Sequence, residues 1–293
     1  MPVSYTSANE YFKNRFGKKT YRLALCVSHT CPNRDGALGR GGCSFCLEGS
    51  SCFASDASEL LNSIDRAKSL VAKKAGKDPA FIAYFQGFTS TYMPLKKQRE
   101  FFFAAAQRED ICAVSIGTRP DCIPGPVLDM LTELNAVKPV FVELGLQTVR
   151  EDTAFLINRR FTLKTYDDAV KRLTHAGIEV VTHVIIGLPH ETAEDVKNTV
   201  LHAYGVGSRG VKLQLLHILK GTEFHRMYEN GEINCLSLEE YACILKYVLE
   251  DIPKDMVVHR LTGDGAKAHL AAPLWSADKK RVLNEINRIL SST

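Results

Sequence analysis

Three cysteines within sixteen residues carry the densest chemistry in this chain. Cys31, Cys43 and Cys46 lie in HTCPNRDGALGRGGCSFC, separated by eleven residues and then two. Gly36, Gly39, Gly41 and Gly42 let the intervening backbone fold tightly and turn its N–H groups inward. Thiolates with such donors are what an iron–sulfur cluster requires, and three thiolates leave a fourth iron open to an outside ligand. The same residues suit a structural zinc, with His29 or Cys52 as fourth ligand. Spacing alone leaves both open. Cys26, Cys112, Cys122, Cys235 and Cys243, and less firmly Cys52, read as small buried hydrophobes.

The nine cysteines are an odd number, which in a reducing compartment argues for metal or redox chemistry rather than disulfides. No stretch approaches the roughly 18 consecutive apolar residues of a membrane span, and MPVSYTSANEYFKNRFGKK lacks an apolar core with a cleavage site. The expectation is a cytoplasmic protein with no membrane partner. With 293 residues, 45% apolar and 24% charged, the composition excludes disorder, collagen and coiled coil. A net charge of +4 is too small to announce a nucleic-acid binder, but residues 1–42 hold seven Lys/Arg against Glu10 and Asp35. That basic segment reads as a lip beside the cysteines able to collect phosphates, or as a plain solvated terminus.

The rest of the chain must position these groups. β-Branched and aromatic runs at 20–27, 79–85, 111–117, 139–146, 178–186, 210–219 and 256–262 alternate with amphipathic patterns near 57–75, 95–107, 125–135, 151–158, 164–176, 192–204 and 237–251, before a last helix near 276–290. Ser55 or Asp56 caps the first of these helices and Gly76 ends it. The alternation predicts a parallel α/β fold, a full or partial barrel, since no GxGxxG follows the first strand. Chemistry in such folds gathers at the C-terminal strand ends. Here those ends run into the cysteine loop, QGFTSTY (86–92), TRPD (118–121), Gln147, GLPHET (187–192), HILKGT (217–222) and HRLTGDG (259–265).

The cysteine loop, with Phe45 before its last cysteine, resembles the cluster loop of the radical S-adenosylmethionine (SAM) superfamily. TRPD, VELGLQT (142–148) and INRRFT (157–162) resemble the radical SAM domain of the elongator catalytic subunit. CPNRDG, FQGFTSTY, ELGLQT, IIGLPHET, LHILKGT and HRLTGD resemble its bacterial YhcC/YtqA-type relatives. The likeness spans roughly residues 10–275. Two departures stand out: the first two cysteines are eleven residues apart where the superfamily usually has three, and Gln86-Gly87 replaces the usual two glycines and glutamate.

The resemblance implies a partial (β/α)6 TIM-like barrel over 20–220, with a basic N-terminal segment (1–19) and a C-terminal extension (221–293) packed on it. It implies a [4Fe-4S] cluster on Cys31, Cys43 and Cys46, at which SAM is reductively cleaved to a 5′-deoxyadenosyl radical. Phe45 would lie against adenine, Gln86, Gly87, Thr89 and Thr91 would meet the methionine ammonium, and Thr118 and Arg119 its carboxylate. Glu143 and Gln147, with Arg160 nearby, would suit the ribose; His183, Gly187 and Pro189 complete the cofactor set. Tyr92, His217, Lys220, His259, Arg260 and Asp264 are the substrate-side, candidate catalytic residues. The elongator relative acts on C5 of the tRNA wobble uridine using acetyl-CoA and a separate acetyltransferase-like domain, for which this chain has no room. The expected task is therefore a related one on tRNA, such as converting a carboxymethylaminomethyl side chain of the wobble (thio)uridine to aminomethyl, with a reductase or flavodoxin/ferredoxin as electron donor. A radical SAM enzyme acting on a small metabolite or protein, and a zinc-stabilised RNA-binding protein without turnover, are the rivals.

Overall fold

The computed structural model describes residues 3–28, 30–47, 54–76, 78–263 and 267–292. His29, Cys52 and Asp264 lie outside them. The chain opens with β1 (Thr6–Ser7), α1 (Ala8–Phe16) and β2 (Thr20–Leu25), then alternates through α2 (Ala57–Ala75), β3 (Ala80–Phe85), α3 (Leu95–Ala106), β4 (Ile111–Thr118), α4 (Gly125–Val137) and β5 (Val140–Gln147). It continues with α5 (Glu151–Leu156), α6 (Leu163–His175), β6 (Glu179–Ile186), α7 (Ala193–Gly205) and β7 (Gly210–Leu215). The C-terminal part comprises β8 (Ile218–Leu219), α8 (Glu223–Glu229), α9 (Leu238–Glu250), β9 (Val257–Arg260), β10 (Leu270–Ala272) and α10 (Lys279–Ser291).

Eight strands pair in parallel in the order β1-β9-β7-β6-β5-β4-β3-β2, a curled, open half-barrel with its helices outside. The expected (β/α)6 run is β2 to β7. β9 and β1 extend it from the two ends of the chain, and β8 pairs with β10 in a separate antiparallel ribbon. Helix starts follow the local rules: Asp56 accepts from Glu59 N–H at the head of α2, and Thr192 with Asp195 and Ser237 with Glu240 form capping boxes at α7 and α9.

Side chains alternate across each strand. On β5, Val140, Val142, Leu144 and Leu146 face the helices, while Phe141, Glu143 and Gly145 face the lumen. The lumen is layered. Its floor is Ile82, Ala113, Phe141 and Val181, closed from below by Phe12 of α1, whose ring meets Phe141 edge-on at 5.4 Å. Above lies a polar layer of Tyr84, Ser115, Glu143, His183 and Lys212.

The N-terminal segment is thus a plug at the barrel's lower end, which corrects the reading of 1–42 as one basic lip. Tyr11 donates to Glu179 at the first position of β6 at 2.7 Å, and Arg15 pairs with the same carboxylate. Arg22 turns into the lumen toward His259, and only Arg34 and Arg40 belong to the cysteine loop at the upper end. An amphipathic helix with a phenylalanine on its inner face covers the apolar floor at the expense of the phosphate-collecting role. Phe12→Ala is expected to destabilise the protein by about 3–5 kcal/mol; chemical denaturation measures it, and a loss below about 1 kcal/mol would contradict the plug.

Candidate functional site

The loop after β2 is built around its cysteines by short-range bonds. The Cys46 N–H donates to Cys43 O at 2.9 Å, and the Arg34 and Asp35 N–H groups donate to Cys31 O. Glycine is required at two places: a Cβ on Gly39 would stand 2.5 Å from Asn33 Oδ1, and one on Gly42, at φ +83°, would stand 2.9 Å from the Arg34 guanidinium. Asn33 Nδ2 donates to the Asn158 carbonyl at 2.6 Å and lies 3.6 Å from Cys43 Sγ, while Asn158 Nδ2 donates to the Gly42 carbonyl at 2.6 Å. This reciprocal clasp fastens the loop to the segment after α5. Next to it, fully buried Arg159 donates to the carbonyls of Leu146, Thr148 and Phe161, tying the same segment to the end of β5.

Cys31, Cys43 and Cys46 all line one cavity of about 210 Å³ at the upper end of the barrel. Burial, reinforced by Cys46, pushes the Cys43 thiol up to about 11, and burial also raises Cys31. A metal centre must displace those protons, as iron does on forming thiolate bonds. Among the described residues no trio of His, Cys, Asp or Glu converges at single-ion distance. Three thiols spread around one cavity, with the Asn33 backbone and cationic Arg119 and Arg34 acting on Cys31, fit a four-iron cluster.

The same cavity is lined by Phe45, Gln86, Gly87, Thr89, Thr118, Arg119, Glu143, Gln147 and His183. Thr118 and Thr91 share a hydroxyl contact at 2.5 Å, and Thr91 donates to Cys122 O, joining the loop after β3 to the end of β4. Gln147 reaches the lumen through a left-handed backbone at φ +66°. Its amide lies over Gly145, where a Cβ would stand 2.5 Å from Nε2.

Several expectations need correction. Arg160 lies on the outer rim and bonds Asn158, whereas Arg159 lines the cavity. Both are in INRRFT, and sequence cannot say which neighbour turns inward. The Nε/Nη2 edge of Arg119 is engaged by Asp121 at 2.9 and 2.7 Å and its Nη1 donates to Arg159 O at 3.1 Å, so the remaining Nη1 and Nη2 hydrogens are what it can offer a carboxylate ligand. Gly187 and Pro189 do not line the cavity; Gly187, at φ +93°, makes room for Leu236. His259 belongs to the floor, edge-on to Phe12 and bonded to Arg22, rather than to the mouth. Tyr92 faces Asp35 of the cysteine loop, whose carboxylate raises its pKa. Lys220 lines an outer groove with Arg40, Arg160 and His269. His217 packs beside Gly263 and Gln214.

Glu143 is 1% exposed, and both its oxygens are occupied: Ser115 donates to Oε1 at 2.7 Å, while His183 (2.8 Å) and Lys212 bond Oε2. Burial alone would raise its pKa, but Lys212, His183 and Arg22 outweigh it and hold the carboxyl well below the usual carboxylate range. Lys212 is brought down to about 8 by burial and also bonds the Tyr84 hydroxyl at 3.0 Å. Glu143 is therefore an anchor of the lumen before it is a partner for ribose. Lys212 and Tyr84 were missed from sequence, although Lys212 and Gln214, two apart in the otherwise apolar GVKLQLL, carry the signal of a polar inner face.

Two expectations follow. Lys212→Met leaves Glu143 buried with Ser115 and His183 on it but without its ammonium partner, and should cost about 3–5 kcal/mol by denaturation, with Lys212→Met/Glu143→Gln recovering part of it. The Glu143 contribution is in place above its unfolded value of about 4.3 and fades as pH falls toward the folded value. For the loop, Cys43→Ala/Cys46→Ala should abolish cluster loading, assayed as iron and sulfide after anaerobic reconstitution, while Asn158→Ala, which removes a bond worth about 1 kcal/mol, should lower retention severalfold. Full loading of the double variant would contradict the ligand assignment.

Residues 26–203 match the family model described as radical SAM superfamily, and 208–292 that of the radical SAM C-terminal domain. The chain is 41% identical over 290 residues to the uncharacterized protein YtqA of Bacillus subtilis, covering 98% of this chain and 90% of that one. Over 155 residues it is 26% identical to the tRNA uridine(34) acetyltransferase of Methanocaldococcus jannaschii, covering 52% of this chain and 28% of that protein. In structure it is similar to Methanocaldococcus infernus Elp3, with a TM-score of 0.67 at 17% identity over 93% of this chain and 64% of that one. With its cysteine loop, half-barrel and cavity in place, the chain belongs to the radical SAM superfamily and is an enzyme that uses a [4Fe-4S] cluster and SAM.

Proposed function

We propose that this radical SAM enzyme acts on the C5 side chain of the wobble uridine in tRNA, remodelling an existing substituent such as carboxymethylaminomethyl to aminomethyl. The observation that carries the reading is the similarity, over half the chain, to a protein named for uridine 34 of tRNA. An open groove beside the cysteine loop supports it, lined by Arg40, Arg160, Lys220 and His269 with Glu223 as the one acid among the lining residues. Such a groove suits a phosphate backbone, whose affinity comes largely from Lys/Arg contacts.

When bound, the cluster and SAM supply a 5′-deoxyadenosyl radical by one-electron cleavage. This chain's own residues hold and shield that chemistry. Cys31, Cys43 and Cys46 would bind iron. Thr89, Gln86 and the Gly87 backbone offer polar contacts to an ammonium, and Phe45 an apolar face to an adenine. The closed floor around Phe12 keeps water from entering from below. The reading requires an external electron donor, a reductase or a flavodoxin or ferredoxin. Among the described residues no helix is long and apolar enough to cross a membrane.

The test has two arms. Nucleosides of tRNA from a deletion strain should lack one C5-modified wobble uridine and accumulate its precursor, and the loaded enzyme should convert that precursor. Binding of tRNA to the purified enzyme should weaken roughly forty-fold from 50 to 200 mM salt if Arg40, Arg160 and Lys220 each neutralise a phosphate. Replacing all three by glutamine should flatten that slope. An unchanged nucleoside profile with salt-insensitive tRNA binding would turn the assignment toward a small metabolite or protein.

A further inference from the structure

The lumen holds more positive than negative charge. Arg22 on β2, Lys212 on β7 and Arg260 on β9 face it, and Glu143 is the carboxylate that the described residues bring to them. Lys212 is spent on Glu143 and Tyr84. Arg22 is bonded to His259 and lies over the rings of Phe12 and Tyr84 at 5.5 and 5.8 Å. Arg260 is different: among the described residues its guanidinium has no hydrogen bond and no ion pair.

Its orientation comes from a break in the β7–β9 ladder. Val211 pairs with Val258, but Lys212 pairs with Arg260, so one extra residue is inserted on β9. The bulge turns two successive side chains inward. His259 points to the floor, where its Nε2 lies 2.9 Å from where a Cβ of Gly210 would be, and Arg260 points to the polar layer, where it acts on Tyr84, His183 and Lys212. A bulge that sends a second cation beside Lys212 works against the electrostatics of the protein alone. Lys212 is buried and already paired, whereas Arg260 is partly open and no described group pairs it, which leaves its fork accessible to an anion entering from the cavity.

We propose that Arg260, with Lys212 and Arg22 behind it, holds a terminal carboxylate of the substrate inside the barrel. A guanidinium fork matches a planar carboxylate with two parallel N–H···O bonds. The bonded pair His183 and Gln214, at 3.0 Å, forms the adjoining wall. The lumen is blind below, so it admits the end of a side chain, whereas a backbone phosphodiester, continued on both sides, does not enter it. The inference rests on the radical SAM cavity being the substrate site, and it sharpens the tRNA reading, since a carboxymethylaminomethyl group ends in such a carboxylate.

The test uses cluster-loaded protein with SAM, without oxygen, and the probes N-methylglycine, its neutral amide N-methylglycinamide, and inorganic phosphate, with binding followed by ligand NMR. The wild type should bind the acid at least tenfold more tightly than the amide. Arg260→Met should erase that preference at unchanged iron content, and Arg260→Lys should restore part of it. Equal binding of acid and amide by the wild type overturns the proposal, as does an acid preference that survives in Arg260→Met or tighter binding of phosphate than of the acid. The wild-type comparison decides even if Arg260→Met loses its iron. An Arg260-dependent acid preference without turnover of tRNA keeps the subsite and removes the tRNA reading; turnover of tRNA with no such preference does the reverse.

Discussion

A carboxylate buried at the centre of the barrel organises this protein. Glu143, buried as it is, cannot stay ionised unless its lone pairs are filled, and Ser115 from β4, His183 from β6 and Lys212 from β7 fill them. The bonds join three strands to β5 and, through Lys212 and Tyr84, reach β3. The polar layer therefore sets the curvature and relative height of the strands whose upper ends carry the site. Below it the lumen is apolar and closed by Phe12; above it the cavity begins.

The cysteine loop depends on that frame through a segment distant in sequence. Asn158 and Arg159 follow α5, yet one clasps the loop through Asn33 and Gly42 while the other anchors the clasp to the end of β5. A long glycine-rich loop on its own would be slack. Two reciprocal amide bonds and one buried guanidinium settle where its three thiols point, and that supplies for the eleven-residue interval the order that a shorter spacing would supply by itself.

Much of this was legible beforehand because it is local. The strands and helices of the (β/α)6 run lie within a few residues of their expected positions, since period-two and period-3.6 patterns record which face is buried, and caps such as Asp56 and Thr192 need only their own neighbours. α1 and α8 were not read, being short and charged, and β1 has two residues and exists only because β9 is there to pair with it. Among site residues, the cysteines, Phe45, Gln86, Thr118, Glu143 and Gln147 face one cavity from the places their motifs suggested. Arg160, His259, Gly187 and Pro189 do not, because which of two adjacent residues turns inward depends on a positive φ or a bulge that pairing imposes.

By itself the sequence determined the parallel α/β alternation, the three-thiol loop and the convergence of polar strand ends, because each is written in spacing and periodicity within a single element or loop. Only the tertiary structure decided that the basic N-terminus is a plug, that Arg159 rather than Arg160 enters the cavity, and that Arg22, Lys212 and Arg260 crowd one lumen around Glu143. Those outcomes depend on strand register across the sheet, where contacts form between residues as far apart as Arg22 and His259, 237 positions, and the energy of each is set by what else is buried beside it.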